Sequence, residues 1–293
     1  MIAIYEPLYL PGQPLTEPAF RPLRLQTNDY ASWREFRILT DMYRRGLHRQ
    51  QRFTGLLSPK FELKTGLSGR EFITFVEANA DADVCFANPF PHYAYLAYNI
   101  WMQGEPAHPG LADRSQALLN ACGIDLKIDE MPRHGPALLC FCNYWVGSER
   151  FWDEYVGRLL LPIAKFIEAN PDHPACKAVL SPTVHYIEST PFLPFMIERL
   201  FSSYLSLHAE RLSIRAFARD PLQACFDDFE RELVSRIRSR IDDADRTGVF
   251  SHALRLEIAE QCENWMAHFL ARYDGEHNPH ALGPVEKFKS RAG

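Results

Sequence analysis

The sequence predicts an α/β protein whose mostly parallel sheet is flanked by helices. Short apolar runs at residues 2–5, 53–57, 84–86 and 138–146 have strand length and little polar alternation, as strands buried on both faces do. Between and after them lie longer segments with apolar residues at spacings of three and four, opened by residues that cap helices. A chain of 293 residues with 46% hydrophobic and 13% aromatic content holds enough apolar material for one large core.

Taken in order, the first strand at 2–5 runs into a proline-rich loop carrying Pro7, Pro11, Pro14, Pro18 and Pro22. Asn28 or Asp29 caps a helix reaching about Arg45, with Trp33, Phe36, Met42 and Tyr43 on its apolar face and Gly46 as its stop. The strand at 53–57 leads into a polar loop over 58–68. Ser68 then caps a helix over 69–79, and the strand at 84–86 follows. After the run at 138–146, Ser148 caps a helix over 149–169 that Pro162 kinks. Thr190 and Pro191 start a helix to about Glu210. Asp220 and Pro221 open another, with Leu222, Phe226, Phe229, Leu233, Ile237 and Ile241 in phase until Gly248. Ser251 caps a last one, and the tail after Asp274 is expected to fray.

Composition narrows the function classes. Thirty-two basic against 37 acidic residues give a net charge of −5, without the basic stripe that phosphate neutralisation needs, so no nucleic-acid partner is expected. The stretch from Arg231 to Arg246 alternates base with acid and reads as a solvated helix face. The first residues lack a signal-peptide pattern, and Pro162, Lys165 and Glu198 interrupt the longest apolar stretches, so no transmembrane segment is expected. Seven cysteines without framework spacing read as reduced thiols packed as small hydrophobes, which places the chain in the cytoplasm. Cys140 and Cys142 would share one strand face.

No glycine-rich dinucleotide fingerprint, P-loop, nucleophile elbow or His-Glu-x-x-His is present. Glu105 and His108 have the spacing of a di-metal helical pair. Only one copy exists, and Pro106 sits inside it, so no metal site is assigned. Three stretches hold chemistry-bearing residues, each with a structural alternative beside the functional one. Lys60, Lys64 and Thr65, in the loop after a strand, could hold a diphosphate or form a solvated turn. Residues 99–110 mix Trp101, Gln103, Glu105 and His108 with prolines and glycines, as in a sugar site or a self-satisfied loop. Glu198 and Arg199 sit among apolar neighbours, as a proton-transfer pair or a structural ion pair.

In the order Phe53-Thr-Gly-Leu-Leu-Ser-Pro-Lys-Phe-Glu-Leu-Lys-Thr-Gly66, Ala82-Asp-Val-Cys-Phe-Ala-Asn-Pro89, residues 141–155 (from Phe141-Cys-Asn-Tyr-Trp145 to Tyr155) and Glu198-Arg-Leu-Phe201, the chain resembles cytoplasmic glycosyltransferases of bacterial capsule and O-antigen clusters. The likeness spans roughly residues 1–215 and implies a GT-A-like fold. It implies transfer of a sugar from a nucleotide-sugar to a glycan or lipid-linked glycan acceptor. On that resemblance Lys60, Lys64 and Asn88 lie near the donor, Asn143, Tyr144 and Trp145 border the acceptor, and Glu198 is the general base. By residue type Thr65 is placed with the donor, and Trp101, Gln103, Glu105, His108 and Arg199 with the acceptor.

One departure matters. Asp81-Ala-Asp83 spells the family's metal motif but precedes its strand, while Ala-Asn88-Pro stands at the strand's far end. Metal independence is therefore expected, with no tightly bound cofactor and cations offsetting the leaving group. Two other readings stand beside the transferase. One is a degenerate transferase-fold scaffold that binds partners without turnover. The other is a phosphohydrolase, which would need a nucleophile that the sequence does not display. The expected organisation is a nucleotide-sugar and acceptor domain over 1–217 and a helical extension over 218–293. That extension is expected to pack on the sheet, with homodimerisation as the alternative.

Overall fold

The structure, a computed structural model, describes residues 1–25, 27, 29–183 and 190–273. Asn28 and the tail from Asp274 therefore lie outside the described residues. Within them, six strands form one mixed sheet in the order β2-β1-β3-β5-β4-β6. The strands are β1 (Ile2–Leu8), β2 (Arg21–Arg24), β3 (Phe53–Leu56), β4 (Val84–Phe86), β5 (Trp145–Ser148) and β6 (Ile214–Ala216). β1 pairs in parallel with β2 and β3, and β4 with β6, while β5 runs antiparallel to both β3 and β4. The expected mostly parallel sheet flanked by helices is present.

β1, β3 and β4 coincide with apolar runs because their side chains are buried on both faces. β2 falls inside the stretch expected as loop. Its Pro22 is tolerated because β2 is the sheet edge, where a missing N–H leaves no ladder bond unmade. Residues 138–144 are not a strand. Cys142 and Asn143 take left-handed backbone (φ 64° and 54°). Their segment's N–H groups go to side chains instead of a ladder: Cys140 to Ser202 Oγ (2.9 Å), Cys142 to Glu198 Oε1 (2.6 Å). Cys140 and Cys142 therefore do not share a strand face.

The first helix, α1 (Glu35–Arg44), follows a 3₁₀ turn at Ala31–Trp33, and Gly46 turns left-handed (φ 69°) just beyond its end. The expected loop at 58–68 contains α2 (Phe61–Thr65). Ser68 caps α3 (Gly69–Ala78) with a reciprocal bond to Glu71. Between β4 and β5 the chain inserts α4 (Tyr93–Leu96), α5 (Ile100–Ala107) and α6 (Leu111–Ala121). α5 replaces the loop expected at 99–110. Asn99 caps it through bonds from Trp101 and Met102 N–H, and Pro106 is accommodated near its end.

Ser148 caps α7 (Glu149–Phe151), which widens into a π-helix over Trp152–Leu160 and returns to α8 (Leu161–Ala169). The widening lies just ahead of Pro162, where the missing N–H interrupts regular pairing. Trp152 Nε1 donates to the Thr54 carbonyl (2.8 Å), which ties this helix to β3. After α9 (Pro174–Leu180), α10 (Phe192–Leu207) lays Phe201 flat on Trp145 of β5 and edge-on against Phe86 of β4.

The helix expected from Asp220 is two: α11 (Pro221–Ala224) and α12 (Asp228–Thr247). Asp227 accepts from Glu230 N–H while Glu230 accepts from Phe226 N–H, a reciprocal cap that restarts the helix. Then α13 (His252–Tyr273) closes the described chain. α12 and α13 pack chiefly on α4 and α5. No described helix is long and apolar enough to cross a membrane.

Candidate functional site

Because β5 opposes both neighbours, its amino end shares an edge with the carboxyl ends of β3 and β4. In open α/β sheets the crevice outside this edge is where ligands bind. Here it holds a cavity of about 120 Å³. α2, following β3, contributes Lys64. The turn after β4 contributes Phe90, α4 contributes Tyr93, and the turns before β5 contribute Phe141 and Cys142. α5 adds Gln103, Ala107 and His108; α10 adds Phe195, Glu198 and Arg199; α13 adds Phe269 and Leu270.

Arg199 anchors the wall. It is 1% exposed, and its guanidinium donates to Gln103 Oε1 (2.7 Å), Phe195 O (3.0 Å) and Ile100 O (3.3 Å), with Glu198 Oε2 at 3.6 Å. Burial lowers its pKa to about 10, with Glu198 and Glu105 opposing, so it stays a cation at neutral pH. It lies so close to α5 that a Cβ on Gly104 would overlap its Nε. Glu198 is held from both ends, Oε1 by the Cys142 N–H and Oε2 by Arg199.

Lys64 is half-buried. Its Nζ lies 3.2 Å from Cys142 Sγ and 5.9 Å from the Phe90 ring centroid, and it forms no ion pair among the described residues. Burial works against its charge. The Cys142 sulfur, the Tyr144 oxygen and the Glu198 carboxylate work for it and leave its pKa raised. Burial also pushes the Cys142 thiol up to about 12, against the pull of Lys64, so at neutral pH the pair is an ammonium beside an un-ionised thiol. His108 stacks on Phe195 with ring centroids 3.7 Å apart.

Of the residues singled out from sequence, Lys64, Gln103, His108, Glu198 and Arg199 line this cavity together. The others have different places. Lys60 is the cap position of α2, and Thr65 is buried with its hydroxyl on the Phe61 carbonyl (2.7 Å). Asn88 spends its amide on the turn at Phe90. Trp101 is buried with Nε1 on Ser203 Oγ (2.8 Å) and offers no stacking face to solvent. Glu105 accepts from Gly110 and Ala112 N–H and so closes the start of α6. Asn143 and Tyr144 are buried, the phenol on Ser58 Oγ (2.9 Å). Asp81 and Asp83 lie at the amino end of β4, away from the cavity. Asp81 pairs with Arg215, and Asp83 accepts the Ser213 N–H.

Sequence reasoning missed the aromatic wall and the thiol. Burial raises the Cys142 thiol and the Tyr9 and Tyr144 phenols, and the charge of Glu35 at the start of α1, which sequence reasoning also missed, adds to it. Nothing in the chain sets Phe90, Phe141 or Phe269 apart from core phenylalanines. Among the described residues no group of three or more His, Cys, Asp or Glu is placed to hold a metal. No family model matches this chain, and neither a curated protein nor a solved structure is significantly similar to it.

Proposed function

We propose that the protein is a glycosyltransferase that moves a sugar from a nucleotide-sugar donor to a glycan acceptor in bacterial surface-polysaccharide synthesis. The observation that supports this best is the carboxyl-edge cavity, which gathers one carboxylate, two cations and an aromatic wall in a space of ring size. In this reading Glu198 takes the proton from an acceptor hydroxyl as that oxygen forms its bond to the anomeric carbon. The bond from that carbon to the nucleoside diphosphate breaks, and the leaving group departs with the electron pair. Glu198 suits the base role because its two fixed contacts aim the carboxylate while leaving lone pairs for a hydroxyl. The Lys64 ammonium offsets charge developing on the leaving oxygen without a metal. A cavity of about 120 Å³ takes one ring, so the nucleotide lies outside it, along the edge toward Lys60 and Ser58.

The test is thermal shift with UDP, GDP, CMP, TDP and their sugar conjugates, with manganese or with chelator. A nucleotide at a hundredfold its Kd adds about 2.7 kcal/mol of stability. One nucleotide family should stabilise the protein in chelator, and turnover of its sugar conjugate should fall about 10²–10⁴-fold in Glu198→Gln. Silence across all nucleotides removes the transferase reading. Binding without turnover on any acceptor turns it into a scaffold, and activity restored only by manganese removes metal independence.

A further inference from the structure

Arg219 follows β6 at the edge where β4 and β6, which run in parallel, both end. Its Nη1 donates to the Asn88 and Pro89 carbonyls (3.3 and 3.1 Å), which fasten it to the turn after β4. Among the described residues its Nε and Nη2 make no hydrogen bond, and it forms no ion pair. The side chain is half-buried, and burial lowers its pKa with no neighbouring carboxylate to oppose it. In this it stands apart from the other arginines that are at least half-buried. Arg37, Arg133, Arg199, Arg215 and Arg238 each face a carboxylate, and Arg114 lies over the Phe192 ring. A partly desolvated guanidinium without a counter-charge is expected where a ligand supplies one.

The Nε and Nη2 side of a guanidinium is the fork that takes two oxygens of one anion. With Nη1 held by two carbonyls, that fork is set before a ligand arrives. Gly66, exposed and left-handed (φ 67°) at the end of α2, has no side chain to cover Nη2, and a Cβ there would lie 4.0 Å from it. No acid stands close enough to repel a second negative charge. A phosphate monoester carries about −1.5 to −2 at neutral pH and a carboxylate only one charge, so the phosphate is favoured.

Arg219 does not line the cavity. Ser58 and Lys60 follow β3 at the amino end of α2, whereas Gly66 and Arg219 meet at its other end, beside β4 and β6. β5 stands between β3 and β4, so the two places are about two strand spacings, roughly 10 Å, apart. We propose that Arg219 is a binding site for a phosphate ester, gripped by Nε and Nη2. In the preceding reading, on which this assignment rests, the donor's diphosphate lies on the side of Lys60 and Lys64. The phosphate at Arg219 therefore belongs to the acceptor, as a sugar phosphate or a lipid-linked phosphate. The site itself is tested without any donor.

The experiment is calorimetric titration of the full chain, at fixed ionic strength, with inorganic phosphate, glucose 1-phosphate and geranyl phosphate. Acetate and glucose are the controls and should bind more weakly. Arg219→Gln should weaken all three phosphates by about tenfold or more. Arg24→Gln removes the same charge from exposed β2 at the opposite edge of the sheet and should change them by less than about twofold. Arg219→Lys keeps the charge without the fork and should fall between. Geranyl phosphate binding ahead of glucose 1-phosphate assigns a lipid-linked phosphate, and the reverse assigns a sugar phosphate. The proposal is overturned if Arg219→Gln leaves the phosphate affinities unchanged, whatever it does to Tm, or if Arg24→Gln weakens them equally. Acetate binding as well as phosphate also overturns it. If Arg219→Gln weakens nucleotides as much as it weakens phosphates, the site is the donor's and the acceptor assignment falls. Phosphates held by Arg219 with no nucleotide effect would keep the site and remove the transferase. A nucleotide effect with phosphates indifferent to Arg219 would do the opposite.

Discussion

His134 shows how a single side chain couples this fold to pH. It is fully buried. Its Nδ1 accepts the Ile100 N–H (3.3 Å), and its Nε2 lies 3.1 Å from Ser206 Oγ. A proton on Nδ1 would put two donors face to face, so the folded state requires the neutral ring. Burial, with Arg133 adding to it, lowers the pKa to about 3, whereas the unfolded value is 6.5. Between these values the unfolded chain binds a proton that the folded one does not. The contribution is therefore complete above pH 6.5 and is lost as pH falls toward 3, at about 1.4 kcal/mol per unit. His48, His92 and His208 are shifted the same way, chiefly by burial, so the wild-type slope reflects several protons. His134→Gln keeps an acceptor for Ile100 and a donor for Ser206 without a titrating ring. Between pH 7 and pH 5 it should lose about 2 kcal/mol less stability than wild type in urea unfolding. Parallel pH curves for the two proteins would show that His134 is not the group responsible.

At the scale of elements, the crossing of α5 and α10 sets the site. Gly104 exists where it does because Arg199 lies across its Cα. Gly→Ala inside a helix ordinarily contributes about 1 kcal/mol of stability. Here overpacking costs about 1–3 kcal/mol, and each displaced hydrogen bond of the guanidinium a further 1.5–3. Gly104→Ala should therefore lower stability by about 2 kcal/mol or more in urea unfolding, and a gain would mean that Arg199 can step aside. The same glycine explains why α5 was hidden in the sequence. Asn99, Gly104 and Pro106 together look like a loop, and only the tertiary contact accounts for the glycine. β1, β3 and β4 were legible because burial on both faces leaves an uninterrupted apolar run. Residues 138–144 carry such a run too, but side chains of α10 intercept their backbone donors, and that cannot be read from local sequence. The site was legible as far as chemistry is local: Lys64, Gln103, His108, Glu198 and Arg199 were singled out by residue type. The aromatic wall was not, because a pocket phenylalanine and a core phenylalanine have the same neighbours along the chain.

At the scale of the whole molecule, the question is whether the boundary expected near Phe217 separates two units. Across it run polar ties: Glu230 beside His92 (3.4 Å), Gln261 Nε2 to the Tyr95 carbonyl (2.9 Å), and Arg133 to Asp245 (3.1 Å). Val234, Ile237, Ile241, Ile258 and Trp265 are fully buried in the same apolar cluster as the sheet. Burial of each such side chain contributes about 1.5–3 kcal/mol, and their sum is comparable to the roughly 5–15 kcal/mol that holds a whole domain together. α13 also supplies Phe269 and Leu270 to the cavity. A chain ending at Phe217 would lose that wall and expose the faces of α4 and α5 on which these helices rest. It should show no cooperative thermal transition, a weakened near-ultraviolet circular dichroism signal and binding of a hydrophobic dye. Cooperative unfolding of that shorter chain with its aromatic signal intact would instead make the C-terminal helices a separable appendage, and would assign the closing of the cavity to residues 1–217 alone.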